Sequence, residues 1–292
     1  MGAHVRAGEL DIWTEQVGAG PDVLLIGGLG DTVESWQFQL DGLADRYRII
    51  AFDNRGAGRT AMPDGRATVE AMADDAAAVL RALDVPSAHV AGFSGGSIIG
   101  QELALRHPEL VRSLVLQSTW AAPDAYLLAW FRFVHWLIDN APDERALMEC
   151  FFLDIYSARA HNDGTVAAFI DEVVAFPHKQ ATADIHAYLS ALERPDTRDR
   201  LRQIAAPTLV LAGGVDSVAR PALGREVAQL IPGAMFEVLD DEAHQPFQEM
   251  PDAWNARVDA FWQDVEARGT SAPRPREASD RERMPAPADR PS

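Results

Sequence analysis

A serine set between glycines is the first feature with chemical meaning: Gly92-Phe93-Ser94-Gly95-Gly96 follows the strand-like HVA and precedes the helix-like SIIGQELALRH. A chain turning this sharply from strand into helix strains its central residue, and Gly92 and Gly96 remove the side chains that would clash on either side. The Ser94 hydroxyl is then expected to stand out from the C-terminal edge of a sheet, placed to act as a nucleophile. Ser97, about one turn further on, is expected to cap or pack.

A serine hydroxyl is a weak nucleophile, so it needs a base, and the base needs an orienting acid. Asp216 in GGVDSVARP follows the apolar run TLVLAGG, and His244 in DDEAHQPFQEMP follows MFEVLD. Alone, Asp216 also admits a reading as a turn cap and His244 as a surface histidine; together with Ser94, in this order and each behind a strand, they read as a triad. Asp240, Asp241 and Glu242 form a solvated acidic turn unless they lie near the imidazole, whose charged form they would then favour. A fourth element, Gly27-Gly28-Leu29-Gly30 after VLLI, is expected to supply one backbone N–H to a tetrahedral oxyanion from Leu29, with Gly95 supplying the second. It fits neither G-x-x-x-x-G-K-[ST] nor G-x-G-x-x-G, because Asp31-Thr32 breaks the spacing, so no nucleotide loop is expected.

These residues must be carried by short buried strands. VLLIGG (23–28), RIIAFDN (48–54), HVAGFS (89–94), SLVLQS (113–118), TLVLAGG (208–214) and MFEVLD (235–240) alternate with helix-length segments. Such a series implies right-handed crossovers and a mostly parallel α/β sheet covered on both faces. VRAG and LDIWTEQV, ahead of it, read as an antiparallel hairpin. The helix after Thr68 carries acids in its first turns and Pro86 beyond its end. The long, mostly helical interval before Thr208 predicts an inserted cap over 121–200, with the core formed by 1–120 and 201–268. Eleven of the 23 aromatic residues fall in the cap. They serve its own core or line an apolar pocket, and Phe93, Trp130, Phe133, Phe152 and Phe247 are the pocket candidates. Residues 269–292, rich in Pro, Arg, Asp, Glu and Ser, are expected to be a disordered tail.

Composition narrows the partners. The 44 Asp and Glu against 26 Lys and Arg give a formal charge of -18, which repels phosphate backbones and anionic lipid headgroups. No nucleic-acid or membrane partner is therefore expected. The beginning, MGAHVRAGELDIW, lacks the apolar run of a signal peptide, and Cys150 is the single cysteine, so a cytoplasmic location is expected. His135, His161, His178 and His186 show no H-x-x-x-H or H-E-x-x-H spacing, so neither a metal nor another cofactor is expected. The chain is expected as a monomer or homodimer.

The motifs resemble those of the α/β-hydrolase superfamily, over about residues 5 to 267. The resemblance implies an eight-stranded, mostly parallel sheet with an inserted helical cap, and a Ser94–Asp216–His244 triad. DNRGAGRT resembles the family's D-x-R-G-x-G-x-S segment, with Thr60 at the usual serine and Asp53, Arg55 and Gly58 in structural roles. EAHQPFQEMP is similar to the histidine stretch of 3-oxoadipate enol-lactonases and related carboxylesterases. Two departures stand out: Gly27 replaces a common histidine, which leaves open how that loop is braced, and Gly95 replaces bulkier residues, which predicts a wider pocket floor. A serine at position 94 excludes the aspartate-nucleophile dehalogenases and epoxide hydrolases. The implied activity is hydrolysis of an ester, lactone or thioester of a largely apolar small molecule. Its rivals are the same triad used for carbon–carbon cleavage, peracid formation or elimination, and a small-molecule receptor with this fold.

Overall fold

The computed structural model of the protein describes residues 2–63 and 67–271. Its strands are β1 (Ala3–Ala7), β2 (Leu10–Gly18), β3 (Asp22–Ile26), β4 (Arg48–Phe52), β5 (Ala88–Phe93), β6 (Val111–Gln117), β7 (Thr208–Gly213) and β8 (Met235–Leu239). They form one eight-stranded sheet in the order β1-β2-β4-β3-β5-β6-β7-β8. The hairpin β1–β2 turns at Gly8, whose φ of 61° lies in the left-handed region that favours glycine, and β2 runs antiparallel to β4. All other pairings are parallel.

The central runs lack polar alternation because both faces of the sheet are covered. Leu24, Ile26, Val90, Leu114, Leu116 and Val210 point into one core; Val23, Leu25, Ala91, Phe93, Val115, Leu209 and Leu211 point into the other. Each buried Val, Leu or Ile contributes roughly 1.5–3 kcal/mol relative to exposure. The first face is covered by α2 (Val69–Ala82), α3 (Gly95–Arg106) and α9 (Pro221–Leu230), the second by α1 (Gln37–Leu43) and α11 (Pro251–Ser271). As its sequence cues require, α2 begins where the Thr68 hydroxyl accepts the Ala71 N–H at 3.1 Å.

Between β6 and β7 the chain forms α4 (Ala125–Asn140), α5 (Glu144–Ile155), α6 (Ala158–Asn162), α7 (Thr165–Ala175) and α8 (Thr182–Leu192). Asp124, Asp143 and Ser157 cap α4, α5 and α6. The aromatic wealth of this segment is mostly spent on its own packing: Phe131, Phe152, Tyr156 and Tyr188 are buried with Leu127, Val134, Ile155 and Leu192. The link between α5 and α6 is tied to the loop that follows β8. There the His244 N–H donates to the Ile155 carbonyl at 3.0 Å, and Arg159 reaches both Glu242 oxygens at 3.0 Å. Glu249, on the short α10 (Pro246–Glu249), accepts from the Ser157 N–H at 3.1 Å and from its hydroxyl. Of the expected disordered tail, residues 269–271 close α11, and the rest lies outside the described residues.

Candidate active site

β5 ends at Phe93 and α3 begins at Gly95, so Ser94 alone makes the turn between them, at φ 50° and ψ -121°. This conformation costs a non-glycine residue about 1–3 kcal/mol and persists only where the surroundings enforce it. The Ser94 N–H donates to the Gln117 carbonyl at 3.0 Å, and the Ser94 carbonyl accepts the Ser97 N–H at 2.9 Å and the Ser97 hydroxyl at 2.6 Å. Ser97 thus caps the turn. A Cβ on Gly92 would lie 2.3 Å from the Gly96 carbonyl oxygen, so the elbow closes only around glycine.

The Ser94 hydroxyl lies 3.0 Å from His244 Nε2, and His244 Nδ1 lies 2.8 Å from Asp216 Oδ2. The other Asp216 oxygen accepts the Val218 and Ala219 N–H groups at 2.8 and 2.9 Å, which fixes the carboxylate plane. Asp216 and His244 are buried; Ser94 is half-buried. With Nδ1 donating to Asp216, Nε2 is left as an acceptor for the hydroxyl proton. Phe93 meets the imidazole edge-on, with ring centroids 5.0 Å apart, and itself leans on Phe247, which stacks on Trp36 at 4.3 Å. From the end of β6, the Ser118 hydroxyl donates to the His244 carbonyl at 2.8 Å.

The turn after β3 folds around a residue that motif reading passed over. Asp31 is buried, and its carboxylate accepts the Gly28 N–H at 2.7 Å while its own N–H points back to the Gly28 carbonyl at 3.4 Å. Gly30, at φ 77°, is the turn residue whose left-handed backbone favours glycine. A Cβ on Gly27 would lie 2.6 Å from the Asp31 Cβ, so glycine at 27 makes room for the side chain at 31. The Asn54 amide donates to the Gly27 carbonyl at 3.0 Å and steadies the same turn. With Gly28 engaged by Asp31, the Leu29 N–H makes no protein hydrogen bond among the described residues, and the Gly95 N–H opens α3, where first-turn donors lack intrahelical acceptors.

Burial pushes the Asp31 carboxyl from 3.8 up to about 6, against the opposing pull of Gly28, Ser35 and His244. Because the folded value is the higher one, this group's contribution to stability is fully present below 3.8 and is lost as pH rises through about 6. Asp31→Asn is expected to abolish that loss, worth roughly 2–3 kcal/mol. Urea unfolding of both proteins across this window checks it: the difference in unfolding free energy should grow with pH in favour of the variant, and parallel profiles would count against it.

Other expected residues fall as follows. Phe152 is buried in the cap, and Trp130 is partly buried with its indole N–H on Asp154 at 3.1 Å. Phe133 faces outward, 42% exposed, because the inward stripe of α4 is Leu127, Phe131, Val134 and Leu137. The floor beside Gly95 is not widened: Leu192 and Tyr188 of α8 fill that space, lying 2.9 and 3.1 Å from where a Cβ would stand. Of the acidic turn, Asp240 and Asp241 are exposed, whereas Glu242 is buried against Arg159. Asp53, whose carboxylate accepts the Val33 and Arg59 N–H groups at 2.9 Å each, and Arg55, paired with Asp75 at 2.6 Å, are structural, as is Thr60, which accepts the Trp13 N–H at 3.0 Å. His135 and His186 meet with their Nδ1 atoms 2.5 Å apart, flanked by Glu193 and Asp139. Among the described residues no group of His, Cys, Asp and Glu is arranged to hold a metal ion, and no helix is long and apolar enough to cross a membrane.

Known proteins resemble this chain over nearly its whole folded length. The α/β-hydrolase fold family matches residues 21–251. A protein of Azorhizobium caulinodans named "Putative carbamate hydrolase RutD" is 32% identical over 264 residues, which covers 90% of this chain and 99% of that one. One of Mycobacterium tuberculosis, "Putative non-heme bromoperoxidase BpoC", is 34% identical over 259 residues, covering 86% and 97%. The solved enol-lactonase of Burkholderia xenovorans LB400 superposes with a TM-score of 0.79 at 24% identity over 89% of this chain and 99% of that one, a likeness of fold. Sheet order, the glycine-flanked elbow and a match across most of the chain agree: this protein is a hydrolase belonging to the α/β-hydrolase fold family.

Proposed function

We propose that the protein is a serine hydrolase that cleaves a carboxylic ester, lactone or thioester of a largely apolar small molecule through an acyl-enzyme. The observation that carries this reading is the continuous path from the Ser94 hydroxyl to His244 Nε2 at 3.0 Å and from His244 Nδ1 to Asp216 at 2.8 Å. His244 takes the hydroxyl proton as Ser94 Oγ attacks the acyl carbon, and Asp216 holds the imidazole tautomer and stabilises the imidazolium. The Leu29 and Gly95 N–H groups receive the oxyanion. The imidazolium returns its proton to the leaving oxygen or sulfur, and water, activated by the same histidine, releases the acid. Phe93 against the imidazole and Leu192 and Tyr188 beside Gly95 support an apolar substrate. The relative named as a carbamate hydrolase adds carbamates, whose carbonyl presents the same electrophilic carbon, to the acyl groups worth trying.

The relative named as a bromoperoxidase favours a second reading, in which hydrogen peroxide replaces water in the last step and a peracid leaves. Pre-steady-state hydrolysis of a series of 4-nitrophenyl esters, joined to mass spectrometry after fluorophosphonate treatment, tests the common part of both. A burst followed by turnover, with the adduct on the Ser94 peptide, is expected. Absence of both burst and adduct would remove the serine mechanism. Peroxide partition of the acyl-enzyme then separates hydrolysis from perhydrolysis.

A further inference from the structure

The mechanism leaves one buried charge beside the nucleophile unused. A methyl carbon placed on Gly28 would touch Ser94 Cβ at 3.1 Å and Asp31 Oδ2 at 3.3 Å, so serine and carboxylate flank the same point of the oxyanion turn. Asp31 is held there by the Gly28 N–H, and the Ser35 side chain favours its charged form. The ionisable group whose interaction favours the charged form of Asp31 is His244, and the phenols of Tyr156, after α5, and Tyr188, on α8, feel its negative charge from the cap. No guanidinium or ammonium group is paired with Asp31 among the described residues, whereas Asp53, Asp75, Glu102, Glu242 and Asp259 each have an arginine and Asp216 has His244.

We propose that Asp31 is a specificity-determining residue, whose carboxylate beside Ser94 excludes acyl groups that themselves carry a carboxylate and so restricts the site to neutral ones. This rests on the serine-hydrolase reading and narrows its substrate class. Like charges repel strongly where water is scarce, and an acyl chain entering between the oxyanion turn and the cap meets Asp31 with no arginine or lysine paired to it. A neutral acyl chain meets no such penalty. Since burial lifts the carboxyl to about 6, the exclusion operates above that pH and fades below it, as Asp31 takes up a proton.

Two substrates of equal length decide the matter: 4-nitrophenyl hydrogen adipate, which carries a free carboxylate, and its methyl ester, which does not. The readout is the ratio of kcat/KM for the two, measured in the native enzyme from about pH 5.5 to about pH 8, where the adipate stays ionised. The neutral substrate is expected to be favoured by at least about tenfold at the upper end, with the preference shrinking as pH falls. In Asp31→Asn the ratio is expected to approach one and to lose its pH dependence, which a change in overall stability or kcat would not produce. Turnover of both substrates at equal, pH-independent efficiency by the native enzyme overturns the proposal and leaves the hydrolase reading intact. Failure to turn over even the neutral substrate overturns both.

Discussion

Asp216→Asn is expected to lower kcat by about 10,000-fold, with KM and melting temperature little changed. In the native protein one Asp216 oxygen accepts the Val218 and Ala219 N–H groups and the other faces His244 Nδ1 at 2.8 Å. Asparagine has a single oxygen, and two fixed backbone donors claim it, which leaves its NH2 group pointing at Nδ1. The imidazole must then carry its proton on Nε2, the nitrogen 3.0 Å from the Ser94 hydroxyl, and it presents a donor where a base is needed. Ser94→Ala sets the floor, a loss on the order of a million-fold, and should abolish the fluorophosphonate adduct, whereas Asp216→Asn should form it slowly. Steady-state kinetics with a 4-nitrophenyl ester and the rate of adduct formation measure both. Native-like kcat in Asp216→Asn would show that the carboxylate neither selects the tautomer nor supports the imidazolium.

Ser94 and Asp216 were legible in the sequence because each stands behind a uniformly apolar run, buried throughout as β5 and β7, whereas His244 follows the half-exposed edge strand β8 and was legible by its place after Ser94 and Asp216 in the chain. Parallel strands deliver their C-terminal ends to one edge, so three residues scattered over 150 positions converge there. Asp31 lacked such a signal. It was legible only as a residue that spoils nucleotide-loop spacing, since its contact with Gly28 depends on the left-handed Gly30 and on the space left by Gly27. The missing histidine at 27 and the buried acid at 31 are two sides of one packing solution. In the cap, composition announced aromatic packing but not helical phase. Phe131 and Phe133 are two residues apart on α4, and their positions on the helix surface send the first inward and the second to solvent. The meeting of His135 with His186 follows from the packing of α4 on α8, which no local pattern reports.

The elbow glycines should prove as indispensable to folding as the serine to chemistry. A Cβ on Gly96 would lie 2.1 Å from the Ile26 carbonyl oxygen and 2.6 Å from that of Gly27, both backbone atoms at the end of β3. Neither can move without dragging the strand end and the turn that holds Asp31 and the Leu29 N–H. Gly96→Ala is therefore expected to cost about 3 kcal/mol or more, seen as a lower urea midpoint or loss of soluble protein, and to depress kcat in whatever folds. Gly100, one turn further along the same helix, is the internal control. There a Cβ would meet Leu114 Cδ1 at 3.4 Å, ordinary van der Waals contact, and alanine is the better helix former. Gly100→Ala is expected to be neutral or to gain up to about 1 kcal/mol. The two substitutions add the same methyl group to the same helix, so their difference isolates the close approach of α3 to β3 from helix propensity. Equal midpoints for the two variants would mean that the elbow yields to a side chain, and that its geometry is not fixed by glycine at 96.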